Sequence, residues 1–295
     1  MQLRFPSAAV TLCAVTACTA RTGAAPAPGV VPLPAPAPVA TAPVTRPSDV
    51  IRLGPSALRY VVHQQIHVEQ QFQGQTQTID RAIKLFISAT IAGPADSAGY
   101  PVAFTVDSIV PDSGSIIPPT VNLLSARGLR YTGHVTPAGE FRQAGTSDST
   151  LAQAFTQIVG AFRNFYPRMP PGGGGLTLGA DWTDTSTTSD RAGIDVTVKA
   201  IAHSRVTAWE QRNGVRCLRV EVSSAYSVAG AGDQGGQPLE VSGTGTRTGV
   251  QFVAVDGRYL GGEAHDSSGI AVVLPMQGIT VPVRQITHST VVVLP

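Results

Sequence analysis

Charged residues are scarce in this chain of 295 residues. It contains two lysines, Lys84 and Lys199, and charged residues make up 14% of the sequence. Lysine and arginine number 21 against 19 aspartates and glutamates, and no basic run occurs. Because a nucleic-acid-binding protein needs a concentrated cationic face against the phosphates, this composition excludes nucleic acid as a partner.

Cysteine is also rare, with three in the whole chain. Cys13 lies in a predicted signal peptide and Cys18 is a predicted acylation site, so Cys217 has no intrachain partner. We therefore expect no disulfide, and a fold that depends on its hydrophobic core. Cys217 lies in the alternating segment VRCLRVEV, which predicts a small buried residue of a strand.

Residues 1–17 have the pattern of a signal peptide. Arg4 and the amino terminus supply positive charge, and the apolar run at 5–17 is too short to span a bilayer. The segment VTAC, ending at Cys18, places small residues before a thiol that can accept a diacylglycerol thioether. It resembles the bacterial lipobox.

This resemblance implies lipid attachment at Cys18. The protein would then be exported and lipid-anchored in the bacterial cell envelope, with a membrane as its partner. Thr19, in place of Asp, favours the outer membrane. The alternative is an ordinary cleaved signal, with Ala17 or Ala20 before the cut and Cys18 incidental.

Residues 18–50 are predicted to form the anchor and a tether. Proline and alanine dominate residues 24–47, without apolar periodicity. Such a segment favours extended polyproline II, at ~3.1 Å per residue, and cannot form a core. The simplest purpose is to hold a domain away from a membrane, and a tail without function is the alternative.

After the tether, the dominant hydrophobic period is two, which is typical of strands with one buried face. Apolar and polar residues alternate through 60–72 and 82–91, and the chain ends in another long β pattern. Residues 129–141 have the pattern of a short hairpin. Pro282 predicts an edge strand or a bulge, because proline lacks a donor for the ladder.

Two Gly-containing pairs predict hairpin turns. Asn213 and Gly214 separate two strand-like runs, and Asp256 and Gly257 do the same later in the chain. Both Asn-Gly and Asp-Gly tolerate the positive φ angles that a type I′ turn requires.

Only residues 148–166 have a helical period. Asp148 or Ser149 can cap the start, and Pro167 closes the end. The Gly/Pro-rich segment 167–175 then links two β-rich halves. The apolar stripe of this helix, which we expect to face a sheet and to line any apolar cavity, consists of Leu151, Phe155, Ile158, Phe162, Phe165 and Tyr166.

These elements predict a mainly β protein with one β-rich domain over residues 51–295. We expect ten or eleven antiparallel strands in a large curled half-barrel sheet around one amphipathic helix, because long strands twist. A closed barrel or a two-sheet sandwich is the alternative. Together with the lipobox, the tether and LGADWTDT at 178–185, this pattern resembles the periplasmic lipoprotein-carrier superfamily. The resemblance implies an envelope protein whose concave face holds a hydrophobic molecule.

No motif indicates catalysis, a cofactor or a metal. His63 and His67 are four apart, which on a strand is ~13 Å and too far for one zinc ion. The GAGDQG segment at 230–235 is followed by a strand pattern, whereas a dinucleotide site needs a helix. We interpret HDSSG at 265–269 as a short turn, because triads are assembled from separated segments.

The remaining chemical candidates have structural interpretations. Asp181, Asp184 and Asp190 lack the order of a calcium loop and are interpreted as turn and strand-edge residues. Trp182 and Trp209 are expected in the core.

The sequence therefore predicts a non-enzymatic, lipid-anchored envelope protein that binds a lipid or another hydrophobic small molecule in its concave sheet face. The alternative is a structural or protein-interaction module with a filled core and no ligand. A hydrolase or metal enzyme would require histidines to converge with carboxylates, drawn from His63, His67, His134, His203, His265 and His288.

Overall fold

A computed structural model describes residues 50–72, 74–93, 95–115, 122–155, 167–191, 194–234 and 237–295. The predicted signal peptide, Cys18 and residues 18–49 of the tether lie outside these ranges. So do four members of the predicted helical stripe, Ile158, Phe162, Phe165 and Tyr166.

Most of the described chain is β-strand. The helices are short: α1 at Ser149–Ala154, and 3₁₀ turns at Leu123–Ala126, Pro171–Gly173 and Pro275–Gln277. The strands are β1 (Ser56–Phe72), β2 (Gln75–Ile91), β3 (Tyr100–Pro111), β4 (Arg130–Val135), β5 (Phe141–Thr146), β6 (Asp181–Arg191), β7 (Ile194–Arg212), β8 (Val215–Gln234), β9 (Gln237–Ala254), β10 (Tyr259–Leu274) and β11 (Ile279–Leu294).

All eleven strands form one antiparallel sheet, in the order β5-β4-β3-β2-β1-β11-β10-β9-β8-β7-β6. The pairing of β1 with β11 joins the two halves of the chain. In the described part of the chain no pairing connects the edge strands β5 and β6, so the sheet is open. The prediction of a mainly β fold with one large antiparallel sheet is confirmed, and the closed-barrel alternative was wrong.

The turn between β7 and β8 follows its sequence signature. Asn213 has φ 51° and Gly214 has φ 76°, so both have the positive angles of a type I′ turn, as predicted. In the turn between β9 and β10 only Gly257, with φ 84°, has a positive angle. A hairpin forms there, but its turn is a longer loop from Ala254 to Tyr259, so the predicted type I′ turn at Asp256 and Gly257 was wrong.

Two further local predictions were wrong. Residues 265–269 lie in the middle of β10, paired on both sides with β9 and β11, and form no turn. Pro282 lies in β11, which is an interior strand of the sheet. The register between β11 and β1 ends at Val283, so Pro282 has no ladder partner on that side and its missing N–H is tolerated.

One face of the sheet, here called the inner face, bears the main core. Directly opposed residues of an antiparallel pair share a face, and Leu218 and Val253 are such a pair, both 0% exposed. The core includes Phe104 of β3 and Trp182 of β6, from opposite halves of the strand order, because the sheet curls. Segments outside the strands complete it, including Ile51, Leu176 and Met169.

The short helix α1 contacts this core, and residues 156–166 of the predicted helix lie outside the described part of the chain. Asp148 caps α1, and its Oδ1 accepts a hydrogen bond from the backbone N–H of Leu151 at 2.9 Å. Ala152 and Phe155 are buried in the core, and Leu151 packs against it.

The inner face continues beyond the main core. Along β8, Val220 belongs to the main core, Ser224 is a buried polar residue and Val228 belongs to a second apolar cluster. The second cluster consists of Val196, Val198, Tyr226, Val228, Leu239, Val241 and Ile270, and a third of Val272, Val281 and Val283. The buried polar residues between them, here called the polar belt, are Gln64, Ser204, Ser224, Arg247, Asp266, Ser268, Gln285 and Thr287.

Candidate polar groove on the outer face

The opposite face of the sheet, here called the outer face, contains an open groove of about 740 Å³. It crosses β9, β10, β11, β1 and the beginning of β2. Its lining residues are Glu69, Gln71, Thr76, Ser242, Gly243, Thr244, Ser267, Ser268, Gly269, Ile270, Ala271, Pro282, Val283 and Arg284.

The strand register explains how this groove forms. Thr244, Gly269, Arg284 and Glu69 are direct neighbours across four strands. Three strand spacings separate the first from the last, which is ~14 Å. Gly269, with no side chain, leaves an open floor between Thr244 and Arg284, and an added Cβ there would have no heavy atom within 4 Å.

A second row of small residues extends the floor along the strands. Ala271 lies between Ser242 of β9 and Pro282 of β11. Ser267, Gly269 and Ala271 alternate along β10 and therefore share the outer face. Ile270 and Val283 also line the groove, but their side chains are buried on the opposite face, in the apolar clusters of the inner face.

One ion-pair chain forms the β1 side of the groove. Arg284 Nη1 lies 3.8 Å from Glu69 Oε2, and Glu69 Oε1 lies 3.3 Å from His67 Nε2. His67 Nδ1 lies 2.7 Å from Asp80 Oδ1. The pKa of His67 is raised above its usual range, first by the hydrogen bond with Asp80 and then by the one with Glu69.

The groove combines hydroxyl and amide groups and one balanced pair of charges with a floor whose exposed surface is mostly apolar. Hydrogen-bond donors and acceptors lie on both sides of that floor. No aromatic side chain belongs to its lining, and its exposed floor is glycine, alanine, serine and proline.

The polar belt on the inner face is a separate feature. Arg247 and Asp266 are directly opposed on β9 and β10, so two opposite charges are buried side by side. Tyr226 donates its O–H to Asp266 Oδ1 at 2.8 Å, and Gln285 donates to Thr287 Oγ1 at 3.1 Å. Burial, and then the charge of Asp266, raise the pKa of Tyr226 well above its usual range, so the phenol remains a donor.

The histidines are distributed over the sheet. Three histidines each contact a different aspartate: His63 lies 2.9 Å from Asp112, His134 lies 3.3 Å from Asp96, and His203 lies 2.7 Å from Asp181. The rings of His265 and His288 stack with centroids 4.2 Å apart. Within the described ranges, no group of three or more histidine, cysteine, aspartate or glutamate side chains could hold a metal ion.

The other candidates occupy structural positions. Asp181 and Asp184 lie on the edge strand β6, and Trp182 is buried in the core, as the sequence predicts. Trp209 packs against the core under the guanidinium of Arg216, whose Cζ is 3.8 Å from the ring centroid. Cys217 is buried and free.

Sequence reasoning missed the groove. Its signal was the alternation of Ser267, Gly269 and Ala271, three small residues on one face of a single strand. That pattern was hidden because residues 265–269 were interpreted as a turn. The strand neighbours that form the sides of the groove come from distant parts of the chain, and only the register brings them together.

Comparisons with known proteins identify no family. No family model matches the chain, and no curated protein matches it. The crystal structure of Pseudomonas aeruginosa OccK2 (OpdF) aligns with a TM-score of 0.28 and 8% identity, over 81% of this chain and 98% of that chain. The same protein in complex with glucuronate aligns with a TM-score of 0.25 and 9% identity, over 83% and 100%. Values this low support no functional argument.

Within the described ranges, the helices fall short of the length and apolar character that a membrane span requires.

Proposed function

We propose that this chain is a non-enzymatic, lipid-anchored protein of the bacterial cell envelope, and that it binds a polar ligand in the outer groove. The lipobox-like segment at Cys18 and the Pro/Ala-rich tether support the anchor. The groove of about 740 Å³ is the observation on which the binding function depends, because ligand sites in proteins have volumes of roughly 300–1,000 Å³.

The packing of the inner face favours the outer groove over the main core as the site. Tyr60, Phe104 and Phe155 are among the largest fully buried side chains, and they fill the main core. The groove residues Thr244, Gly269 and Arg284 are exposed. A ligand can therefore reach the groove without displacing core side chains.

The anchor is tested by mass spectrometry of the mature protein. The proposal predicts an N-terminal peptide that begins at Cys18 and has the added mass of a diacylglycerol thioether. An N-terminus at Cys18 without added mass, or cleavage after Ala20, would contradict lipid attachment.

The groove is tested by filling it. Gly269→Trp places an indole in the groove from an exposed position, where an added Cβ would meet no heavy atom within 4 Å. Gly174→Trp is the matched control, because that glycine also has open space and lies in a loop outside the groove. The measurement is the mass and composition of non-protein material retained after native extraction from the envelope.

We expect wild type and Gly174→Trp to retain the same material and Gly269→Trp to lose it. Equal retention by Gly269→Trp would refute the groove as the binding site.

A second function, binding of a hydrophobic molecule at the inner face, is favoured by the two additional apolar clusters. They extend the apolar inner surface past the polar belt, along β7 to β11. The lining predicted from the sequence is the helical stripe that begins with Leu151 and Phe155, and its described members are core residues.

Adjacent residues on opposite faces separate the two functions. Val228→Gln changes the second apolar cluster, whereas Ala229→Gln changes the outer face at the next residue. If a hydrophobic ligand binds inside, delipidated protein takes up a fluorescent fatty acid, and Val228→Gln reduces this uptake while Ala229→Gln does not. No uptake by wild type would exclude this second function.

A further inference from the structure

From the chemistry of its lining, we infer that the outer groove binds an uncharged, polyhydroxylated chain, that is, a neutral oligosaccharide. This inference rests on the proposed binding function and names the ligand class of the same groove. Four side chains of the lining end in a hydroxyl on the outer face: Thr76, Ser242, Thr244 and Ser267.

Hydroxyl side chains match a ligand whose own groups both donate and accept. A sugar hydroxyl can accept from a serine or threonine O–H and donate back to its oxygen. Gln71 adds an amide that donates through nitrogen and accepts through oxygen. Exposed side chains of this kind lie on both sides of the floor, on β9 and on β1 with β2.

The charge of the groove favours a neutral ligand. Glu69 and Arg284 are its two charged residues, and they lie 3.8 Å apart. A polyanion that contacts Arg284 would be repelled by the adjacent Glu69 carboxylate. A polycation that contacts Glu69 would be repelled by the adjacent Arg284 guanidinium. A pair of this kind can instead hydrogen-bond to adjacent hydroxyls, with the carboxylate accepting and the guanidinium donating.

The sheet also argues against a peptide in extended conformation. Peptides that bind sheets add to a free edge through their backbone. The floor strand β10 is already paired along this stretch with β9 on one side and β11 on the other. A peptide in the groove would have no backbone ladder, and only side-chain contacts would remain.

The shape of the floor fits sugar rings. From Ser267 to Ala271 the floor extends over four residue steps, or ~13 Å. Gly269, Ala271 and Pro282 present flat, small surfaces on which the apolar face of a ring can lie. An acyl chain on the same floor would cover the flanking hydroxyl groups without forming hydrogen bonds to them, which is unfavourable.

The test is calorimetric titration of the purified mature protein with maltohexaose, cellohexaose and chitohexaose as probes, and with hexagalacturonate as an anionic comparator. We expect at least one neutral probe to bind, and hexagalacturonate to bind more weakly than that probe. Thr244→Val removes one groove hydroxyl and should weaken binding about 3- to 10-fold, the equivalent of one hydrogen bond.

Thr246→Val is the matched control. Thr246 is exposed on the same strand and face, two residues after Thr244, and it does not line the groove. It should bind as wild type does. The inference is overturned if no neutral probe binds, if hexagalacturonate binds more tightly, or if Thr244→Val and Thr246→Val behave alike.

The two proposals fail in different ways. If Gly269→Trp loses native material but no neutral probe binds wild type, the groove is a binding site and its ligand class is wrong. If Gly269→Trp retains all native material, the binding function itself is wrong.

Discussion

Replacement of Gly245 by alanine should destabilise the protein strongly, because the added methyl group would overlap the Tyr226 ring. Gly245 lies on β9, directly opposite Tyr226 of β8. An added Cβ would lie 2.2 Å from Tyr226 Cζ and 2.3 Å from its hydroxyl oxygen. Gly245 has no positive φ, so backbone strain does not contribute and the effect is steric.

The expected cost follows from two consequences of moving the tyrosine ring. Overpacking of a well-packed site costs about 1–3 kcal/mol. The shift also breaks the 2.8 Å hydrogen bond from Tyr226 to the buried carboxylate of Asp266, and a hydrogen bond to a charged group contributes about 1.5–3 kcal/mol. We therefore expect Gly245→Ala to lower the free energy of unfolding by about 2.5–6 kcal/mol.

Urea unfolding of wild type and variants measures this change. Gly269→Ala is the control, because its Cβ meets no heavy atom, and it should lie within ~0.5 kcal/mol of wild type. In the double variant with Tyr226→Leu, which removes the ring, Gly245→Ala should cost much less than it does alone. If Gly245→Ala costs no more than Gly269→Ala, the packing of Tyr226 over β9 is refuted.

Two smaller predictions concern the groove and a turn. An NMR titration should give His67 a pKa above 6.5, lowered more by Asp80→Asn than by Glu69→Gln, because the Asp80 hydrogen bond is the larger cause. Because the pKa of His67 is raised on folding, protonated His67 stabilises the fold fully at pH values below its unfolded pKa, and this stabilisation is lost as pH rises through its folded pKa. If Asp80→Asn leaves the pKa of His67 unchanged, the Asp80 hydrogen bond is not the cause. Asn213→Ala should lower the free energy of unfolding by about 1–2 kcal/mol, because alanine tolerates φ 51° poorly. Asn213→Gly should leave the free energy of unfolding unchanged. Equal denaturation midpoints for the two variants would argue against the type I′ turn.

The sequence predicted the architecture because long strands with one buried face have a strict period of two. The strand at 60–72 and the Asn213-Gly214 turn both depend on local backbone geometry, and both predictions are confirmed. Asp148 as the helix cap was predicted for the same reason.

Predictions failed where strand pairing decides the outcome. A polar segment with glycine, such as 265–269, can be a turn or a strand with small side chains, and its neighbours in β9 and β11 determine which one forms. Pro282 is tolerated in an interior strand because the register with β1 stops at the next residue. The groove has the same origin, since Thr244, Gly269, Arg284 and Glu69 become neighbours only through the register.

The central claim, that the outer groove holds a ligand, is tested most directly by the maleimide reactivity of Gly269→Cys. The native Cys217 is buried and does not compete. Labelling rates are compared between protein extracted with its native material and protein washed extensively in detergent, with Thr246→Cys as the reference outside the groove. The account predicts slow labelling of Gly269→Cys before washing and faster labelling after it, with no change at Thr246→Cys. Equal rates at Gly269→Cys in both preparations would contradict it.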